Sequence, residues 1–142
     1  MYGIDGRRKL PEQILDHLAG YRNSRPVRVG NAAADQRQLD IFGEVLRAAS
    51  LYYLQVGASD SKSVDTDRRV RPSAATWAML RELVERAAHH WAEPGSGIRE
   101  VRGGPQSFLY GRLMCWVALN SGLELAREHG LDAPMDRWHE TG

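Results

Sequence analysis

The sequence predicts an all-α protein, and three observations predict it. Three long segments place apolar residues at intervals of three and four, the repeat of a helix with a buried face. Strict alternation is confined to the brief Pro26-Val27-Arg28-Val29, too short to argue for a sheet. Between the helical segments lie connections rich in glycine, proline and arginine, the composition of loops.

Residues 1–31 read as an N-terminal loop segment, within which Pro11 to Leu18 has the length of two or three helical turns. The first long helix is expected over about 32–56, with Leu39, Phe42, Val45, Leu46, Ala49, Tyr52, Tyr53 and Val56 on its buried side. Asn31 is placed to cap its start and Gly57 to stop it. Gln36, Asp40 and Glu44 then share one face at four-residue spacing. Such a row can hydrogen-bond a polyhydroxylated ligand, or be a solvated face with pairs such as Glu44 with Arg47.

The second helix is expected over about 73–91, with Ser73 as N-cap after Pro72 and a stripe through Trp77, Leu80, Val84, Ala87 or Ala88, and Trp91. The third is expected over about 106–129, between Pro105 and Gly130. It is apolar on more than one side, from Leu109 through Trp116 to Leu125, and so calls for neighbours on several faces.

At 142 residues the chain has the size of one domain, and its net charge of +1 creates no long-range field. Nucleic-acid and membrane-surface binding are therefore not expected. The cluster Arg68-Arg69-Val70-Arg71 has no interleaved aromatics and is balanced by Asp60, Asp65 and Asp67. The single cysteine, Cys115, sits in an apolar run, excludes an internal disulfide, and reads as a buried small hydrophobe. No apolar run reaches the ~18 residues of a membrane span, and the charged start lacks a signal-peptide core, so the expected compartment is the cytoplasm. His89 and His90 point about 100° apart on a helix. With arginine at 86 and Glu93 in a loop, no metal site is expected, and no cofactor is implied.

The chemistry-bearing stretch is Gly95 to Gly104, "GSGIREVRGG", which sets Glu100 between Arg99 and Arg102 in a glycine-framed loop. By itself it is a weak pattern. With "MYGIDGRRKLPEQILDHLAGYRNSRPVRVGNAAADQRQLDIFGEV" before it and "WAEPGSGIREVRGGPQSFLYGRLMCWVALNSGLELAREHGL" around it, the chain closely resembles the family 15 glycoside hydrolases. Their bacterial glucoamylase-like and trehalase-like members are the most similar.

That resemblance implies a partial (α/α)6 barrel domain of the six-hairpin type over residues 1–142, and an inverting hydrolysis of α-glucosidic bonds. One carboxylic acid protonates the leaving oxygen in such a reaction, and a second carboxylate activates water. The family's Gly-Ile-Trp-Glu-x-Arg motif aligns on Gly97-Ile98-Arg99-Glu100-Val101-Arg102, which gives Glu100 the role of general acid. Its arginine-proline loop aligns on Arg25 to Asn31, making Arg28 the sugar contact with Asn31 and Gln36 behind it. Arg102 and Tyr110 complete the implied substrate contacts; Trp116 is a pocket or a core aromatic.

Three departures stand out. Arg99 replaces the tryptophan before the acid, Gly111-Arg112 replaces a Ser-Lys, and Asn120-Ser121 replaces an Asp-Arg. A guanidinium beside Glu100 favours its ionised form, the opposite of what an acid needs. The family's general base lies beyond the matched blocks, and Glu93, Glu124 and Glu128 stand in no base-like motif. The expectation is a segment carrying the acid loop and part of an α-glucoside pocket, completed by another chain or a second copy. The alternative is a non-catalytic helical remnant or protein-interaction module. Trehalose, maltose and longer glucans all remain open as substrates.

Overall fold

The computed structural model describes residues 3–56, 70–97 and 104–142. The chain divides into two units, Met1–Arg37 and Gln38–Gly142.

The N-terminal unit is built around a short antiparallel hairpin. Strand β1 (Gln13–Ile14) pairs with β2 (Arg28–Val29), Gln13 opposite Val29 and Ile14 opposite Arg28. The Leu15 N–H extends the ladder to the Val27 carbonyl at 2.9 Å. Helical turns expected over Pro11 to Leu18 are therefore absent, because the segment pairs its backbone with the 27–29 stretch. An eight-residue helix without a packed face is marginal in water, so the partner strand wins. Gly30 takes φ +89, and a Cβ there would stand 2.0 Å from the Pro11 carbonyl oxygen, so only glycine lets the chain pass. A 3-10 turn follows at Ala32–Asp35, where the Asn31 side chain accepts from the Ala33 N–H at 2.9 Å.

Gln36 is extended (ψ 142), which breaks the helix expected from residue 32 onward. In the C-terminal unit α1 runs over Asp40–Leu51, α2 over Ala74–His90, α3 over Leu109–His129 and α4 over Met135–Thr141. A π-helical turn, Tyr52–Val56, continues α1. Ser73 caps α2 by accepting from the Thr76 N–H at 3.1 Å. Gly130 ends α3 in the left-handed conformation.

The core of this unit gathers Leu46 of α1, Leu80 and Val84 of α2, Ala118, Leu119 and Leu125 of α3, and Trp138 of α4. Two glycines set the helix spacing. A Cβ on Gly43 would lie 2.3 Å from the Met114 carbonyl oxygen, so α1 and α3 touch backbone to backbone. A Cβ on Gly122 would lie 2.7 Å from Val84 Cγ2 and 3.3 Å from the Trp138 ring. Cys115 is fully buried in this core.

Helix α4 was not anticipated, although Pro134 before it and Asp136 in its first turn are start signals. Its Trp138 is fully buried and donates from Nε1 to Glu85 at 3.2 Å, while Arg137 pairs with the same carboxylate. Not every side of α3 is covered: Leu109 is 82%, Leu113 49% and Trp116 48% exposed. Trp116 is thus no packed core side chain among the described residues.

Candidate functional site

The segment that carries Glu100 is mounted on a backbone clamp. Gly95 and Gln106 form an antiparallel bridge, the Gly95 N–H donating to the Gln106 carbonyl at 2.9 Å and the Gln106 N–H returning to Gly95 at 2.8 Å. The ends of the intervening loop are thereby held as neighbours, although Glu100 and Arg102 themselves lie outside the described residues. Gly97, the residue before the Ile98-Arg99-Glu100 run, has φ +68, and a Cβ on it would come within 2.9 Å of the Phe108 ring. Glycine is required here twice over, by conformation and by space.

Beside the clamp is a crevice of about 10 Å³, room for about one water molecule. Leu39, Phe108 and the glycines form its walls, and Asp40, Glu93 and Tyr110 bring the polar groups. At that volume the crevice is too small to enclose a sugar ring.

Tyr110 stands on the first turn of α3 and donates its hydroxyl proton to Glu44 Oε1 of α1 at 2.7 Å. Helical spacing sets Asp40 one turn before Glu44. The hydrogen bond to Glu44 raises the Tyr110 phenol above its ordinary 10.0, helped by desolvation and by the negative charges of Glu44 and Asp40. A phenol and two acidic side chains are groups that exchange hydrogen bonds with vicinal hydroxyls. Gln36 is not on this helix, so the expected three-residue row keeps only Asp40 and Glu44.

In the N-terminal unit, Arg28 leaves β2 and pairs with Glu12, Nε to Oε1 at 3.0 Å. Asn31 spends its side-chain oxygen on the cap, and its N–H donates to the Leu10 carbonyl at 3.1 Å. Gln36 is half-buried, just past the 3-10 turn. These three expected sugar contacts share one short stretch, whereas Tyr110 belongs to the C-terminal unit.

Two carboxylates weighed as bases resolve differently. Glu124 accepts from the Ser50 hydroxyl at 3.3 Å and from Asn120 Nδ2 at 3.1 Å, a bridge between α1 and α3. Glu93 lines the crevice and lies 3.0 Å from His90 Nδ1. Sequence spacing left Glu93 in a loop, and it does follow α2, but its N–H still donates to the His90 carbonyl at 2.9 Å. That one extra turn brings the carboxylate to the histidines.

Comparison with known proteins gives a consistent result. The glycosyl hydrolases family 15 profile matches residues 1–142. The trehalase of Mycolicibacterium smegmatis is 44% identical over 138 residues, covering 97% of this chain and 19% of the relative. The Mycobacterium tuberculosis trehalase is 42% identical, covering 97% of this chain and 18% of the relative. That of Thermoplasma volcanium is 33% identical, with 97% and 20% covered. The chain thus spans about a fifth of the length of these relatives. No solved structure matches.

Proposed function

Because the chain belongs to glycosyl hydrolase family 15, we propose that it carries the acid side of an inverting trehalose hydrolysis, with Glu100 as proton donor. The observation that carries the reading is the Gly95–Gln106 bridge, whose two residues bracket in sequence a run that aligns with the family's acid motif. A general acid must reach one glycosidic oxygen repeatedly, and a loop tied at both ends restricts where its carboxyl can go.

In this mechanism Glu100 gives its proton to the bridging oxygen as the bond to the anomeric carbon breaks. A second carboxylate, roughly 6.5–9.5 Å away, removes a proton from the water attacking the opposite face. This reading assigns that base, and the remainder of a six-hairpin barrel, to the part of the relatives' length that the match does not cover. Arg28, Asn31, Gln36, Arg102 and Tyr110 contact sugar hydroxyls. Tyr110 already gives its proton to Glu44, so its oxygen accepts from a sugar hydroxyl while Glu44 offers its other oxygen. A cytoplasmic setting belongs to the same reading; a lone buried thiol fits a reducing compartment.

Trehalose is favoured over maltose and longer glucans because the similar relatives named above are trehalases. The test is to put this chain in place of the matching 138-residue segment of the M. smegmatis relative and measure glucose release from trehalose and maltose. Release from trehalose that disappears with Glu100→Gln supports the proposal. A folded, inactive chimera, or activity on maltose alone, overturns it.

A second reading, a helical protein-interaction module, is favoured by the exposed row Leu109, Leu113 and Trp116 on α3. It predicts that the chain captures a partner or a second copy through this row with no role for Glu100.

A further inference from the structure

At the far end of α2, three potential metal ligands converge. His89 and His90 are the last two residues of the helix, and Glu93 sits in the turn that follows. One ligand atom from each lies within 4.8 Å of the other two, and His90 Nδ1 is 3.0 Å from Glu93 Oε1. The rings of His89 and His90 stand edge to face, their centroids 4.7 Å apart. Adjacent helical residues diverge, yet here the helix end lets Glu93 reach back to both, at spacings of three and four.

We propose that His89, His90 and Glu93 bind one divalent transition-metal ion of the zinc, cobalt or nickel kind. Two imidazoles and one carboxylate form a nitrogen-rich donor set that suits these ions and is a poor match for magnesium or calcium, which take oxygen. Tetrahedral coordination at ~2.0–2.1 Å asks for ligand atoms about 3.3 Å apart. The His90–Glu93 separation is already shorter than that. The remaining movement falls to His89, the exposed member of the three.

The electrostatic surroundings allow a cation. The last turn of a helix carries partial negative charge from its unpaired carbonyls. The histidines open onto a recess of about 630 Å³ that also holds Arg86 and Arg137. Both guanidiniums are matched by carboxylates: Arg86 pairs with Glu82 at 2.9 Å, and Arg137 with Glu85. The recess leaves the fourth coordination position open to water or another small ligand. The donor set spans the stretch between α2 and the Gly95 clamp, so a bound ion would tie that connection to the helix end. None of this depends on the glycosidase reading.

The experiment is titration of the 142-residue chain with Co2+ alone, read by its visible ligand-field absorption, followed by displacement with Zn2+. The expected result is one saturable equivalent per chain. His89→Asn, His90→Asn and Glu93→Gln should each weaken it at least about tenfold, since losing an outer partner of a ligand already costs 10–100-fold. His139→Asn should leave it unchanged, and circular dichroism should show the helix content of every variant retained. Absence of saturable uptake overturns the proposal, as does uptake that survives His89→Asn, the exposed position least able to disturb folding.

Discussion

The contact between α1 and α3 depends on Gly43, and Gly43→Ala should destabilise the protein even though alanine is the better helix former. In place of hydrogen, the methyl would start 2.3 Å from the Met114 carbonyl oxygen and 2.9 Å from its carbon. Real Cβ atoms keep beyond 3.0 Å, and the obstacle is backbone, so the two helices must separate. Overpacking of this kind costs about 1–3 kcal/mol. The gain in helix propensity offsets up to about 1 kcal/mol of it. The net expectation is a loss of about 1–2 kcal/mol, or a fall of about 4–8 °C in Tm for a unit of this size. Gly111→Ala on α3 is the matched control, because its Cβ would meet the Leu39 side chain at 3.5 Å and 4.0 Å, ordinary contact. That variant should be neutral or gain up to about 0.5–1 kcal/mol. Urea unfolding followed by circular dichroism reads both. A Gly43→Ala protein as stable as the parent would refute the close helix packing.

Other perturbations probe the clamp, the core thiol and the cap. Gly97→Ala forces a left-handed alanine against Phe108. It should cost about 1–2 kcal/mol, seen as faster amide exchange at Gly95 and Gln106. Burial, aided by the charge of Asp40, pushes the Cys115 thiol from 9.0 up to about 11. The folded value exceeds the unfolded one, so its contribution, on the order of 2–3 kcal/mol, is complete below pH 9 and is lost as pH rises through 11. A thiol reagent at pH 8.5 should therefore label Cys115 only after denaturant is added; equal labelling of the native chain would contradict this. Ser73→Ala removes the acceptor for the Thr76 N–H and should cost about 1 kcal/mol by the same urea assay.

The helical character was legible because Trp77, Leu80, Val84 and Ala87 fall on one side of α2 and are buried as that spacing predicts; Trp91, expected to extend the stripe, lies past the helix end and is exposed. What spacing alone could not show was decided by tertiary contact. Pro11 to Leu18 could turn or extend, and only pairing with residues 27–29 selects the strand. The pattern from Ala32 to Val56 looked continuous because Asn31 does cap a turn, but a 3-10 turn that ends at Gln36. Glu44 looked like a surface charge with a helical neighbour, whereas its partner Tyr110 lies 66 positions away. Glu93 was expected in a loop; it does follow α2, and the turn after His90 returns its carboxylate to that histidine. Glycine at 97 marks a backbone need that its left-handed turn against Phe108 explains, whereas the acid role of Glu100 rests on the family resemblance and not on the stretch by itself.

The central claim is that Glu100 donates a proton to the leaving group, and the most direct test separates that role from binding. In the chimera with the mycobacterial relative, kcat should be measured for Glu100→Gln on trehalose and on α-glucosyl fluoride. Fluoride departs without protonation, so the account predicts a loss of about 10²–10⁴-fold on trehalose and little loss on the fluoride. Equal losses on both substrates, or none on trehalose, would contradict it.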